Sequence, residues 1–168
     1  MQVFDAVRTV LAVRSYQDTP VPPDVVRRIV EAGRLTASSK NGQPWHFIVV
    51  ENRDTLRQLG ALARTGPYIA QAPLAIVVAI EKTQFAVSDA SRAIQSMVLT
   101  AWSDGVGSNW VGFLGLTEVN SLLGIPDDLD VLAIVPFGYP AQARHQGKKQ
   151  RKPLSQVVHR ERFAQPFE

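Results

Sequence analysis

Seven consecutive apolar residues, Leu74-Ala75-Ile76-Val77-Val78-Ala79-Ile80, constrain the fold more than any other feature of the chain. The run is short for a buried helix and rich in β-branched residues, so it reads as a central strand. Further strands are expected at residues 46–50 and 131–135, with another at 106–113 interrupted by glycines. Helical spacing of Val3, Phe4, Val7, Val10 and Leu11 predicts a first helix over about residues 2–13. Pro20, Pro22 and Pro23 each bias the preceding residue to extended geometry, and Pro23-Asp24 then suits the start of a second helix reaching about residue 37. Helices are also expected at 54–63, at 87–104, and at 117–123, where Gly124 closes the last one. In the long helix, Val87, Ala90, Ile94, Met97, Val98 and Ala101 form a stripe that Ala93 and Trp102 broaden, which implies burial against more than one neighbour. Strands and helices intermix without regular alternation, so the expected class is α+β, a sheet flanked by helices.

With 168 residues, 45% hydrophobic and 20% charged, the chain reads as one domain, residues 1–168, able to bury a core. It has no cysteine, which removes disulfides and thiolate metal sites and leaves any redox chemistry to a bound cofactor. No stretch approaches the roughly 20 apolar residues of a spanning helix, and the first residues lack the apolar core of a signal peptide. A soluble cytoplasmic protein without a membrane partner is therefore expected. The net charge of +3 is local, because Arg144, Lys148, Lys149, Arg151 and Lys152 cluster late in the chain.

The sequence contains no G-x-G-x-x-G after a strand, no G-x-x-x-x-G-K-[ST], no H-E-x-x-H and no G-x-S-x-G. His46, His145 and His159 are far apart and lack ligand spacing, so no metal site is expected. What does stand out is Ser38-Ser39-Lys40-Asn41-Gly42-Gln43-Pro44-Trp45-His46-Phe47, a polar loop between a helix and a strand. Amide and hydroxyl groups there could read a planar polar ring, since between them they donate and accept in either sense. From chemistry alone, a surface turn is the simpler reading.

Together with that loop, Arg14-Ser15, the segment Gly105-Val106-Gly107-Ser108-Asn109-Trp110-Val111-Gly112-Phe113, and the tail Gly138-Tyr139-Pro140 followed by Lys149-Gln150-Arg151-Lys152-Pro153-Leu154 occur in one order along essentially the whole chain. In these four motifs the sequence resembles the nitroreductase family. The resemblance implies a central, mainly antiparallel sheet of four to five strands flanked by helices, in a domain-intertwined homodimer holding two FMN molecules at the subunit interface. It implies an FMN-dependent oxidoreductase that moves hydride from NADH or NADPH to a nitroaromatic, quinone or similar small acceptor by a ping-pong mechanism. The same resemblance extends to flavin enzymes of other reactions, such as reductive dehalogenation, flavin fragmentation or deazaflavin binding, and to non-catalytic flavin binders.

Carried over by position, Arg14 and Ser15 would touch the phosphate or ring edge, Ser38, Ser39, Asn41 and Gln43 would hold the ribityl chain and ring, and Lys149 and Arg151 would complete the phosphate site. A phosphate charge near −2 accounts for the basic tail. A solvated charge run or a nucleic-acid patch is the rival reading, but no aromatic residue is interleaved between Arg144 and Lys152, so no nucleic-acid partner is expected. Trp110, Val111 and Gly112 complete the expected cofactor contacts, with a main-chain amide near Gly112 facing the hydride-accepting ring nitrogen. The alternative there is a strand made irregular at its glycines. Val13 and Gln17 stand where many relatives carry basic residues, and Gln17 is kept among the expected contacts.

No side chain is assigned a catalytic role, because the flavin would carry the chemistry. Trp45 is expected in the core and Trp102 at the dimer interface, while Asp89 is expected to cap or polarise its helix. The short spans between Ile80 and Val87 and between Gly112 and Thr117 leave little room for covering insertions, so the site should be open.

Overall fold

The computed structural model describes residues 1–112, 116–142 and 149–168; Phe113, Arg144, His145 and Lys148 lie outside the described residues. The apolar run becomes strand β2, Leu74–Glu81, which pairs antiparallel with β1, Trp45–Val50, on one side and with β4, Leu129–Gly138, on the other. A short β3, Gly107–Ser108, adds beyond β4, giving the antiparallel order β1-β2-β4-β3. Side chains alternate across a strand. Leu74, Ile76, Val78 and Ile80 thus enter one core, and Ala75, Val77 and Ala79 enter a second. The first core is covered by α2, Pro23–Arg34, and α4, Ala86–Ser103; the second by α3, Arg53–Leu62, and α5, Thr117–Leu123. Two covered faces explain why the run carries no polar alternation.

Local chemistry sets several boundaries. Pro22 and Pro23 open α2, the Asn52 side chain accepts from the N–H groups of Asp54 and Thr55 to cap α3, and Gly124 ends α5 in the left-handed region at φ 65°. Helix α2 stops at Arg34, short of residue 37, and the Thr36 hydroxyl then lies within hydrogen-bond distance of Ala32 O and Ser96 Oγ, at 2.9 and 2.8 Å. Trp45 is buried as expected and stacks on Phe47. Within α4, Val87 is 37% exposed and drops out of the expected stripe.

Three expectations are corrected. Helix α1 spans only Val3–Thr9, because Ala12 and Val13 join the sheet edge instead, where Val13 N–H donates to Ser108 O at 2.9 Å. The strand expected at 106–113 shrinks to β3, with Val111 making a separate bridge to Ile134. Trp102 is 4% exposed within its own chain and its indole N–H donates to Thr9 Oγ1, so it joins α4 to α1 and does not wait for a partner subunit.

The Val13 contact also explains a glycine. A Cβ on Gly107 would lie 2.4 Å from Val13 Cγ2 and 2.8 Å from its Cβ, so residue 107 must be small for the 12–14 segment to dock. Gly107→Ala is expected to cost about 1–3 kcal/mol through overpacking. Val13→Ala in the same chain removes the 2.4 Å clash with Cγ2 but leaves the 2.8 Å approach to Cβ, so it should return part of that loss in urea denaturation; a double variant no more stable than Gly107→Ala alone would refute the Cγ2 clash as a cause.

Candidate functional site

The expected site residues fall into separate groups, each fixed by different elements. Residues 38–43 form a tight polar turn just before β1. Ser38 Oγ accepts from Gln43 N–H at 2.9 Å, while Lys40, Asn41 and Gln43 have φ of 53°, 55° and 50°. Left-handed backbone in non-glycine residues costs roughly 1–2 kcal/mol each, somewhat less for asparagine, so the turn needs outside support. That support comes from α4. Ser39 N–H donates to Asp89 Oδ2 at 2.9 Å and Ser39 Oγ–H to Asp89 Oδ1 at 3.1 Å, while Arg92 pairs with the same carboxylate.

Asp89 is 1% exposed, and its side chain caps the turn, not its own helix. Burial alone would raise its carboxyl group, but hydrogen bonds from Ser39 and the charge of Arg92 outweigh this and hold it below the ordinary aspartate range. The side chains of Asn41 and Gln43 are exposed beside this anchor. Asp89 lies in the first turn of α4, where its charge favours the helix dipole as expected, but its bonds to Ser39 were not foreseen. Its signal was there: it occupies a buried position of the α4 stripe, between Ala86 and Ala93, where a carboxylate requires a partner.

The second group lies along residues 14–17. Ser15 O accepts from Ala141 N–H at 2.9 Å, Gln17 N–H donates to Tyr139 O at 2.8 Å, and Tyr16 bridges to Pro140, so the segment is laid antiparallel against the chain leaving β4. Tyr16 is buried and donates its hydroxyl to Val13 O at 2.6 Å; burial pushes its pKa well up. This fixed backbone leaves Arg14 and Ser15 exposed, and among the described residues the Arg14 guanidinium makes no hydrogen bond or ion pair. Gln17 donates its side-chain amide to Pro140 O, so it serves the backbone of this segment.

Lys149 reaches the same end of the molecule, donating to Val7 O of α1 at 2.6 Å; burial, then the nearby Arg151 charge, lowers its pKa. Arg151 is exposed and, among the described residues, donates only to the neighbouring Gln150 O. Near the middle of β4, Val111 is bound to Ile134 in both directions, Gly112 sits at φ 78°, and the Trp110 indole donates to Gly112 O at 2.6 Å. Trp110 is thus partly buried beside the first core. Asn109 donates to the Tyr68 hydroxyl close by, a polar pair that no sequence motif marked.

The strand register measures the separation between groups. Trp45, next to the turn, pairs with Ile80, whereas Leu74 pairs with Phe137 beside Gly138 and β3. Six residues of extended chain, Leu74 to Ile80, span about 20 Å. Helix α4 gives the same length from Asp89, at the turn, to Trp102, at α1. The turn and the Arg14–Lys149 end are therefore at opposite ends of the sheet within one chain. Among the described residues, no group of three or more His, Asp or Glu could hold a metal ion, and no helix is long and apolar enough to cross a membrane.

Residues 8–78 and 65–139 match the model of the Nitroreductase family. The chain is 35% identical over 151 residues to a candidate NADH dehydrogenase/NAD(P)H nitroreductase of Methanothermobacter thermautotrophicus, covering 84% of this chain and 79% of the relative. Among solved structures, a candidate NADH dehydrogenase/NAD(P)H nitroreductase from Parabacteroides distasonis superposes with a TM-score of 0.88 at 27% identity, covering 97% of this chain and 99% of that one. An FMN-dependent nitroreductase from Clostridium difficile superposes with a TM-score of 0.86 at 26% identity, covering 95% and 99%. Sheet order, motif order and these similarities agree, and the chain belongs to the nitroreductase family.

Proposed function

We propose that this chain is an FMN-dependent oxidoreductase that works as a homodimer, each flavin held between two copies. The observation that carries this reading is the division of the site: the hydroxyl and amide groups of the turn, with the single cation Lys40 among them, at one end of the sheet, and Arg14, Lys149 and Arg151, which make no ion pair among the described residues, about 20 Å away at the other. Neither end alone offers a planar heterocycle bearing a phosphate everything it needs. Two copies related by a twofold axis can set the turn of one against the cations of the other. Surface chemistry supports the pairing. In α1, Val3 is 76% and Phe4 75% exposed, and in the C-terminal arm Phe163 is 87% exposed. Apolar surface of this kind is what a partner subunit would cover.

The donor set fits FMN. Among the described residues Arg14, Lys149 and Arg151 have no carboxylate partner, and they would meet the phosphate, with Ser15 beside them. Ser38, Ser39, Asn41 and Gln43 would hold the ribityl chain and ring, and the Gly112 backbone, with Trp110 and Val111 fixing it, would approach the ring edge. When bound, FMN supplies the redox chemistry, taking hydride from NADH or NADPH and returning it to a nitroaromatic, quinone or similar acceptor in the same pocket. The protein's share is position and polarity, which fits a chain without a catalytic dyad.

The test is direct. The purified protein should take up one FMN per chain, sediment as a dimer, lose its yellow colour with NADH or NADPH, and regain it with a quinone in parallel-line, ping-pong kinetics. A protein that ignores added FMN, or binds it and stays yellow with both nicotinamides, overturns this reading.

A further inference from the structure

We propose that Asp89 is a positioning residue that holds the turn of residues 38–43 in its left-handed form and sets the hydrogen-bond sense of Ser39. This rests on the flavin reading above and adds to it a role for a residue that would not touch the flavin. Three of the four residues Lys40 to Gln43 have positive φ and are not glycine. Such backbone persists only where the surroundings over-determine it. The turn's own bonds are few: Asn41 N–H to Ser38 O, Gly42 N–H to Ser39 O, Gln43 N–H to Ser38 Oγ, and the long Gln43 Nε2–H to Asn41 O at 3.3 Å. Asp89 adds two more from a rigid helix, and they reach the residue just before the first left-handed one.

The carboxylate also polarises the two serines in opposite senses. An ionised aspartate can only accept, so the Ser39 hydroxyl spends its proton on Asp89 Oδ1 and its oxygen is left to accept, as it does from Arg92 Nη2 at 3.5 Å with one lone pair to spare. Ser38 Oγ accepts from Gln43 N–H and keeps its proton for donation. The turn therefore presents Ser38 as a donor and Ser39 as an acceptor, a pattern suited to a ligand carrying both carbonyl and hydroxyl or imide groups. Arg92 pairs with Asp89 Oδ1, the same oxygen that accepts from the Ser39 hydroxyl, and its charge helps keep the buried carboxylate ionised.

Asp89→Asn tests this, because it preserves volume but replaces one acceptor by a donor. The expected loss in FMN affinity is about tenfold to a hundredfold, the effect of losing a charge-assisted hydrogen bond. Amide exchange at Ser39 and Gln43 in the FMN-free protein should accelerate by a similar factor. Ile94→Val, in the same helix, serves as the control: it should lower Tm to a comparable extent while leaving FMN affinity and those two amides unchanged. Ser39→Ala keeps the backbone bond, so amide exchange at Ser39 and Gln43 should accelerate less than in Asp89→Asn. If Asp89→Asn binds FMN like the parent, or if Ser39 and Gln43 exchange no faster, Asp89 does not position the turn. If the parent protein itself binds no FMN, the flavin reading fails with it, whereas the exchange result still decides whether Asp89 holds the turn.

Discussion

Lys149→Ala combined with Arg151→Ala is expected to lower FMN affinity by about a hundredfold or more, measured by titrating the apoprotein and following flavin fluorescence. Hydrogen bonds to a charged group contribute about 1.5–3 kcal/mol each, so two lost phosphate contacts give about 3–6 kcal/mol. Stability should barely change. Among the described residues Arg151 is bonded only to the adjacent Gln150 O, and Lys149 only to Val7 O, so neither removal opens the core. Surface changes of this kind stay within about 0.5 kcal/mol each, or a few degrees in Tm at this size. Unchanged affinity in a folded double variant would refute the phosphate assignment.

The same residue gives a pH dependence. Lys149 must be an ammonium ion to pair with phosphate, and its pKa is lowered by burial and then by Arg151. FMN affinity should therefore be full at neutral pH and fall as the pH rises through the lowered lysine value. Lys149→Ala should lack that alkaline limb. Co-assembly supplies a stricter test of the shared site. A chain with Asn41→Ala and Gln43→Ala, joined to one with Lys149→Ala and Arg151→Ala, forms a heterodimer with one intact site and one doubly broken site. If each site lay within a single chain, no intact site would form and mixing would restore no tight binding.

The fold was legible where chemistry is local or repetitive. The unbroken apolar run of β2, the proline start of α2 and the Gly124 stop of α5 each depend on nearby residues, and each appears where expected. Legibility failed where a tertiary partner chose between two permitted states. Val10 and Leu11 suit a helix face, yet the chain straightens after Thr9 because Ser108 offers Val13 a sheet-edge hydrogen bond. Trp102 looked like an interface residue because its hydrogen-bond partner, Thr9, is 93 positions away.

The site divides along the same line. Residue types in the turn and tail were legible as donors and acceptors, since hydroxyl, amide and cation chemistry is intrinsic. What holds them was not, because Asp89 lies 50 positions from Ser39 and no short pattern records such a pair. Val13 and Gln17 also acquire a physical role. Val13 fills the space above Gly107 and Gln17 ties the chain to Pro140, so both fix the segment that presents Arg14.

Phe137→Ala should be among the most destabilising single substitutions, costing about 3–5 kcal/mol out of a total of about 5–15. Phe137 is fully buried and lies in β4 between Leu74 of β2 and Ser108 of β3, so its loss leaves a cavity between three strands. It is also next to Gly138, where a Cβ would come within 2.6 Å of Pro73 and 2.9 Å of Tyr16, at the docking point of residues 14–17. Loosening that point should displace Arg14 and weaken FMN binding as well as folding. Leu59→Ala, under α3 in the other core, provides the contrast: it should cost about 2–5 kcal/mol and leave FMN affinity intact. Urea denaturation and FMN titration on both variants separate the two effects. Equal affinity losses in the two would mean that the site responds to global stability; a loss confined to Phe137→Ala would mean that the packing beneath residues 14–17 sets the position of Arg14.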